Sequence, residues 1–406
     1  MTKQRAMVLH PVLRKEEGST CDQFMEELKE LTRSADLEVI DSIVVRLKDY
    51  NAATLIGKGK LEEIKVIIEK RSINLVVMGM PLSGAKERNL ENILGVPIVD
   101  RIQLILSIFA SRARSQEGKV QVELAQLEDV LSRLTGKGTA LSRLGGGIGT
   151  KGPGEKKLET DKRRTYARIH KLKNTLRSIE RRRKLQRESE RRRGFPFFVL
   201  IGYTNAGKSS LFNLLTHSNV VAKDCLFATL DPTVRKVTLP SGIPILLSDT
   251  VGIIQDMPKN ILDAFKATFE DLDKAHAYIH VIDVSVPNWE HFAFVVQDLL
   301  AELNMRDKPI LYVLNKIDRI HFDGLSIPSW LQLRVAKIST LKGYGMPTLI
   351  LELEKLVESV VRIDNIVIPW DDVDKAFSID ATSNSLVSKV PSIEGMHVKK
   401  CVSTRR

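Results

Sequence analysis

Phe197-Phe198-Val199-Leu200-Ile201 runs directly into Gly202-Tyr203-Thr204-Asn205-Ala206-Gly207-Lys208-Ser209, and Ser210-Leu211-Phe212-Asn213-Leu214-Leu215 follows. The apolar run predicts a buried strand, the glycine-rich stretch a tight loop, and the last segment a helix. In this context G-x-x-x-x-G-K-S is typical of a phosphate-binding loop. Backbone N–H groups would hold phosphate oxygens, Lys208 would reach the β- and γ-phosphates, and Ser209 would bind Mg²⁺. The stretch therefore predicts an α/β nucleotide-binding domain.

A second motif predicts which base is bound. Leu311-Tyr312-Val313-Leu314 has the pattern of a buried strand and runs into Asn315-Lys316-Ile317-Asp318. N-K-x-D is the guanine-reading signature, in which the Asp318 carboxylate would accept hydrogen bonds from guanine N1–H and the 2-amino group. Adenine would leave a buried carboxylate unpaired, at a cost of ~1–3 kcal/mol. The sequence therefore predicts GTP rather than ATP as the substrate of this domain.

Two segments between these motifs are candidates for the switch regions of a GTPase. Asp249-Thr250-Val251-Gly252 ends an apolar strand, and we expect Asp249 to contact Mg²⁺ through water and the Gly252 N–H to face the γ-phosphate. In Phe227-Ala228-Thr229-Leu230-Asp231-Pro232-Thr233 we predict Thr229 as the residue that closes on Mg²⁺ and the γ-phosphate, with Thr233 as the alternative.

A weaker element follows later in the chain. Ser339-Thr340-Leu341 is placed like the S-A-K element whose backbone contacts guanine, although Thr340 and Leu341 depart from that pattern.

The catalytic residues predicted for hydrolysis are Lys208, Thr229, Asn205 and Gly252. Ras-like enzymes orient the attacking water with a Gln directly after D-x-x-G, but Ile253 occupies that position here, and Gln255 is out of register. We therefore expect slow intrinsic hydrolysis unless a partner or a cation completes the site. Asn205 is a candidate for binding K⁺ near the phosphates, which would place positive charge where the transition state needs it.

Composition excludes several classes of protein. The chain has 406 residues, 43% of them hydrophobic, so we expect two to four ordinary domains. It has neither an apolar run long enough to span a membrane nor a signal-peptide pattern. Its three cysteines are far apart and lack metal-site spacing. We therefore expect a reduced, cytoplasmic protein.

The positive charge is concentrated in one segment. Residues 151–193 contain 18 Lys or Arg and 6 Asp or Glu, which accounts for the whole net charge of +12. Runs such as Arg181-Arg182-Arg183-Lys184 do not alternate with acidic residues as a solvated helix usually would. This pattern favours a surface that binds the phosphate backbone of nucleic acid; an anionic membrane surface is the lesser alternative.

The chain divides into four predicted parts, giving a multi-domain α/β protein. Residues 1–100 alternate strands with helices, which predicts a parallel sheet covered on both faces. Residues 101–194 carry two apolar stripes and predict an antiparallel, coiled-coil-like helical hairpin, with six glycines among residues 145–155 forming a tip that contacts RNA or acts as a linker. Residues 195–360 are the GTP-binding domain. Residues 361–406 are a small C-terminal appendage, in which residues 361–369 and 396–402 have extended patterns that predict strands.

Several segments together resemble the HflX family, a group of translation-factor-like P-loop GTPases. The resemblance covers nearly the whole chain. The segments that carry it are Thr54–Lys60, Val99–Arg101, Phe109–Arg114, Gln121–Leu127, Gly145–Glu159, Phe227–Thr233 and Asp249–Gly252. The chain departs from the family pattern at Ile253, where Phe is usual, at Lys156, where Thr is usual, and at Ser339–Leu341.

The resemblance implies a Mg²⁺-dependent GTPase that binds the large ribosomal subunit and its rRNA and splits or rescues stalled or idle ribosomes under stress. It implies Mg²⁺ contacts at Ser209 and Thr229 and guanine contacts at Asn315, Lys316 and Asp318. Off the ribosome we expect a monomer. The alternative is a ribosome-assembly or RNA-remodelling factor that also uses ATP through its N-terminal domain, and a third hypothesis is a silencing module without catalysis.

Overall fold

The computed structural model describes residues 3–13, 19–135, 153–191, 195–217, 226–255, 257, 261–262, 271–320, 327–331, 334–372, 386–391 and 396–403. Residues 145–152 of the predicted tip, and Cys225, lie outside these ranges. The chain forms two compact units, one of residues 1–177 with 258–264 and one of residues 178–257 with 265–406. The predicted four-part division stays a prediction.

The first unit contains a four-stranded parallel sheet with the strand order β2-β1-β3-β4. Helices follow the strands, so the predicted parallel α/β architecture is confirmed. Ser83 caps the third helix, since its side chain accepts a hydrogen bond from the Lys86 N–H. The elements are β1 Arg5–Leu13, α1 Ser19–Ser34, β2 Glu38–Leu47, α2 Lys58–Lys70, β3 Leu75–Met78, α3 Gly84–Leu94 and β4 Ile98–Asp100.

Three further helices follow this sheet: α4 Arg101–Arg112, α5 Gln116–Thr135 and α6 Pro153–Arg191. The predicted apolar stripes of α5 and α6 pack on each other, with Leu124, Ile169 and Leu172 buried between them. Ion pairs flank this contact, with Arg168 bound to Glu123 at 2.6 Å and Lys173 to Glu128 at 2.8 Å. Apolar packing at helical spacing therefore explains the stripes, as the sequence indicates.

Asp100 connects the sheet of the first unit to its helices. Its fully buried carboxylate accepts hydrogen bonds from the Gln103 N–H at 3.0 Å and the Leu82 N–H at 2.8 Å. It also pairs with the Arg133 guanidinium at 2.8 Å, which in turn binds Glu87 at 2.6 Å. The Asp100 side chain thus caps α4 and holds α5, because its two oxygens accept from Gln103, Leu82 and Arg133.

We expect Asp100→Ala to lower the free energy of unfolding by about 3 kcal/mol, because it removes a helix cap and leaves buried donors unpaired. Hydrogen exchange of the full chain should show lost protection in α4 and α5. The control is Glu63→Ala. It removes an exposed ion pair with Lys60 and should change the free energy of unfolding by under about 0.5 kcal/mol. Protection equal to that of the wild type in the Asp100 variant would contradict this account.

The second unit contains a six-stranded sheet with the order β10-β9-β8-β5-β7-β6, parallel except for the edge strand β6. Buried residues of β5, β7, β8 and β9 pack on the helices α7 and α9 that cover one face. The elements are β5 Phe197–Ile201, α7 Lys208–Thr216, β6 Thr233–Thr238, β7 Pro244–Asp249, β8 Ala277–Asp283, α8 Trp289–Glu302, β9 Ile310–Asn315, β10 Val335–Lys337 and α9 Met346–Val360.

A separate antiparallel sheet of three strands lies at the end of the chain, in the order β11-β13-β12. Its strands are β11 Val361–Ile368, β12 Leu386–Pro391 and β13 Met396–Ser403. The sequence predicts the first and third strands but not β12. Among the described residues, no helix is both long and apolar enough to cross a membrane.

Candidate nucleotide-binding site

The predicted site residues meet at one edge of the six-stranded sheet. The loop at residues 202–207 follows β5, Asp249 ends β7, and Asn315 ends β9. Because β5, β7 and β9 are parallel, their carboxyl ends lie at the same edge, where open α/β sheets bind ligands. A cleft of about 400 Å³ lies there, lined by Thr204, Asn205, Gly207, Lys208, Ser209, Ser210, Phe227, Ala228, Thr229, Thr250 and Gly252.

Lys208 is held by the loop that it follows. Its Nζ donates to the carbonyl oxygens of Gly202 at 3.0 Å and Tyr203 at 2.7 Å. The side chain is buried. A charge that the protein orients before ligand binding needs little reorganisation to meet a phosphate.

Two glycines of the site have no room for a side chain. Gly207 has φ 97°, and a Cβ there would lie 2.2 Å from Asn315 Nδ2. A Cβ on Gly252 would lie 2.6 Å from Thr204 Cγ2 and 3.2 Å from Lys208 Nζ. The sequence motif therefore needs glycine at both positions for steric reasons.

Ser209, Thr229 and Asp249 form one hydrogen-bonded cluster. Ser209 Oγ lies 2.6 Å from Thr229 Oγ1 and donates to Asp249 Oδ2 at 2.7 Å. The other oxygen, Asp249 Oδ1, is buried and has no hydrogen-bond partner among the described residues. Mg²⁺ prefers oxygen ligands such as hydroxyls and carboxylates, and Asp249 Oδ1 remains available to accept from a water bound to the ion. The residues therefore fit Mg²⁺.

The structure distinguishes the two candidate switch threonines by position. Thr229 lies against Ser209, whereas Thr233 is the first residue of β6 and pairs with Asp249 in an antiparallel ladder. Phe227 and Leu230, which flank Thr229, are buried, and Asp231 is half-buried. Thr250 and Val251 are buried beside Asp249, with Thr250 Oγ1 donating to the Leu200 carbonyl at 2.7 Å.

Asn315 joins the phosphate loop to the guanine motif. Its Nδ2 donates to the Ala206 carbonyl at 2.8 Å, and its Oδ1 accepts from the Thr340 N–H at 3.1 Å. Lys316 follows in the left-handed region, and a short 3-10 helix, Ile317–Arg319, then carries Asp318. The buried Asn315 thus places the turn that carries Asp318 beside the phosphate loop.

The Ser339 loop is built as a tight turn. The buried Ser339 accepts from the Lys342 N–H at 3.0 Å through its hydroxyl. Leu341 is 74% exposed. The Thr340 N–H contact with the Asn315 side chain places this loop beside the N-K-x-D segment. The predicted backbone contact with guanine stays a prediction.

The segment after Gly252 lies on the phosphate loop. The Thr204 N–H donates to the Ile253 carbonyl at 2.8 Å, and the Ile253 N–H to the Gly202 carbonyl at 3.2 Å. The Ile253 side chain is buried, and an aliphatic group cannot orient water. The Tyr203 hydroxyl accepts from the Gln255 N–H at 2.9 Å. The sequence did not indicate this contact, because the second residue of a phosphate loop is variable.

Burial lowers the pKa of Lys208 to about 8, partly offset by the Asp249 carboxylate. Because the protonated amine binds phosphate, nucleotide affinity should be complete below that pKa and decline above it. From pH 7.0 to pH 8.5 we expect GDP to bind about fourfold more weakly, with proton uptake on binding. Calorimetry in buffers of different ionisation enthalpy measures both quantities. A GDP affinity that does not change with pH, without proton uptake on binding, would contradict the role of the Lys208 amine in binding phosphate.

Three family models match successive parts of the chain. Residues 22–110 match the model for the N-terminal part of GTP-binding GTPases, residues 112–191 the model for their middle region, and residues 197–316 the model of a 50S ribosome-binding GTPase. GTPase HflX of Caldanaerobacter subterraneus subsp. tengcongensis is 43% identical over 369 residues, which cover 91% of this chain and 84% of that protein. The chain belongs to the HflX family of GTPases.

Two further similarities are a second HflX GTPase and a solved structure. GTPase HflX of Escherichia coli K12 is 41% identical over 304 residues, which cover 74% of this chain and 71% of that protein. A GTP-binding protein from Sulfolobus solfataricus, solved in complex with GDP, is 27% identical and has a TM-score of 0.47, covering 87% of this chain and 98% of that one. The sequence identity to the HflX GTPases confirms the resemblance that the motifs predict.

The family and the site geometry agree on the class of ligand. A GTPase family predicts a guanine nucleotide. The phosphate loop lines the cleft, and Asp249 and Asn315 are hydrogen-bonded to that loop at Ser209 and Ala206. No group of three or more His, Cys, Asp or Glu side chains that could hold a metal occurs within the described ranges. A cation in this site would therefore depend on hydroxyls, on Asp249 and on the nucleotide itself.

Proposed function

We propose that this chain binds GTP with Mg²⁺ and hydrolyses it while bound to the rRNA of the large ribosomal subunit, splitting or rescuing stalled or idle ribosomes under stress in the cytoplasm. The observation that carries the nucleotide part is the cluster of Ser209, Thr229 and Asp249, at 2.6 and 2.7 Å. Residues from three separate motifs meet there around a buried acceptor oxygen.

Each motif has a role in this proposal. Residues 202–209 hold the phosphates, and Lys208 neutralises their charge. Ser209 and Thr229 would hold Mg²⁺, and Asp249 would do so through water; the cation would shield the phosphate charge in the transition state. The Gly252 N–H would face the γ-phosphate, and Asn315, Lys316 and Asp318 would bind guanine.

The partner is inferred from family membership together with the charge of α6. Basic side chains are exposed along the described part of this helix: Arg163, Arg164, Arg168, Lys171, Lys173, Arg177, Arg181 and Arg182. Exposed lysines and arginines along one helix attract a phosphate backbone and release its counterions. The 50S ribosome-binding description of the matching family model agrees with RNA as the source of that phosphate.

Ribosome binding is tested by GTP turnover with and without purified large subunits, across a salt series. We expect strong stimulation that fades as salt rises. A triple variant that combines Arg177→Gln, Arg181→Gln and Arg182→Gln should lose stimulation by large subunits and keep the intrinsic rate of GTP hydrolysis. Turnover that is unchanged by large subunits would remove the ribosome as partner and favour RNA remodelling.

Ribosome splitting is tested by light scattering of intact ribosomes, with GTP in one sample and ATP in another. Splitting with ATP alone supports the alternative, an RNA-remodelling factor that uses ATP.

The route of hydrolysis has its own test. Ile253 cannot orient water, so the proposal assigns activation to the ribosome or to K⁺ held near Asn205. Asn205 lines the cleft in the left-handed conformation with φ 61°. We expect faster intrinsic turnover in KCl than in NaCl of equal ionic strength, and loss of that difference in Asn205→Ala. Equal rates in the two salts would exclude the K⁺ route.

A further inference from the structure

Lys316, in the middle of the guanine motif, is bound by a side chain that belongs to none of the motifs. Its Nζ lies 2.6 Å from Asp283 Oδ2, and each side chain is only 15% exposed. Asp283 is the last residue of β8 and lies beside Asn315 in the parallel pairing of β8 with β9. The ion pair therefore connects the end of one central strand to the turn that follows the next.

The Asp283 carboxylate is itself held in place. Its Oδ1 accepts from the Ser285 N–H at 3.0 Å and from the Ser285 hydroxyl at 2.6 Å. Oδ2 is left to face Lys316. A carboxylate fixed on one side presents its other oxygen in a single direction, which gives a partly buried pair a defined geometry.

Lys316 needs such support because of its backbone. It has φ 65° and ψ 32°, in the left-handed region, which costs a residue with a Cβ roughly 1–2 kcal/mol. Asp318 follows two residues later, at the centre of the 3-10 helix that this turn begins. The direction of the Asp318 carboxylate thus depends on Lys316 keeping this conformation.

We infer that Asp283 is a positioning residue for guanine recognition, which acts by holding Lys316 and hence the turn that carries Asp318. The inference rests on the proposed guanine site. It assigns to β8 a part in base specificity. Without the Asp283 charge, the turn samples other conformations, and the contacts of Asp318 with guanine N1–H and the 2-amino group weaken together.

The experiment compares Asp283→Asn with wild type in the full chain, using fluorescent GDP and competition by unlabelled GDP and IDP. IDP lacks the 2-amino group, so the GDP-to-IDP affinity ratio reports the placement of Asp318. We expect GDP to dissociate about tenfold faster, which corresponds to about 1.4 kcal/mol. We also expect the GDP-to-IDP affinity ratio to fall toward one. In a Lys316→Met background, Asp283→Asn should have little further effect, because the pair is already absent.

Control variants separate positioning from general loss of stability. Asp298→Asn removes an exposed partner of Arg306 in the same unit and should leave both the GDP dissociation rate and the ratio unchanged. Should Asp283→Asn fail to fold, Ser285→Ala keeps both charges and should give a smaller change in the same direction. A wild-type chain that binds no GDP overturns the guanine site itself. A wild-type chain that binds GDP, with unchanged rate and ratio in the variants, overturns only the role of Asp283.

Discussion

Lys208→Met should weaken GTP binding by at least about 100-fold and abolish measurable hydrolysis. The amine is buried and already oriented by the carbonyls of Gly202 and Tyr203, so a bound phosphate meets a fixed charge. Removing one member of a buried, charge-assisted contact typically costs about 2–5 kcal/mol. Methionine keeps an unbranched side chain that is shorter by one atom, and it removes the charge and the N–H donors.

Fluorescence titration with a labelled GTP analogue and phosphate release measure the two effects. Lys355→Met is the matched control, because the exposed Lys355 pairs with Glu352 in its own helix and has no other ion pair within the described part of the chain. It should bind and hydrolyse GTP as the wild type does. Affinity of the Lys208 variant within about threefold of wild type would show that the phosphates bind elsewhere.

Asp318→Asn should exchange guanine specificity for xanthine specificity. The carboxylate would accept from guanine N1–H and the 2-amino group, whereas an asparagine amide places a donor against that amino group. Xanthine has a carbonyl oxygen at the same carbon, which the amide N–H can bind. We expect GDP affinity to fall about 100-fold and XDP affinity to rise to within about tenfold of the original GDP value.

Competition of GDP and XDP against a labelled nucleotide measures this exchange. The control is Asp307→Asn, an exposed carboxylate of the same unit, which should leave both affinities unchanged. Equal losses of GDP and XDP in the Asp318 variant would mean that the change disturbs the site generally, and that another residue reads the base.

Much of the nucleotide site follows from local sequence because its parts are short. A phosphate loop needs only the backbone conformations of eight residues and the strand and helix that flank it, so residues 197–215 predict it completely. The turn at Asn315–Asp318 and the cap at Ser83 are equally local. The parallel first sheet follows from alternating strands and helices, since parallel strands need such crossovers.

Local sequence does not predict the contacts between distant segments of the chain. The hydrogen bond from Asn315 to the Ala206 carbonyl joins residues 109 apart, and Arg133 reaches Asp100 across 33 residues. Such pairs depend on strand order and helix packing, which are properties of the whole fold. The strand β12 was missed for a related reason, because its short apolar pattern becomes a strand only when β13 pairs with it.

The sequence by itself determined the class of this protein: an α/β GTPase with a phosphate loop, a guanine motif and one basic segment. These features depend on residues that are neighbours in the chain. Only the tertiary structure decided that Thr229 rather than Thr233 lies against Ser209, and that Asp283 holds Lys316. Both contacts join segments that are distant in the chain, and their adjacency is set by the packing of the entire sheet with its loops and helices rather than by any local stretch.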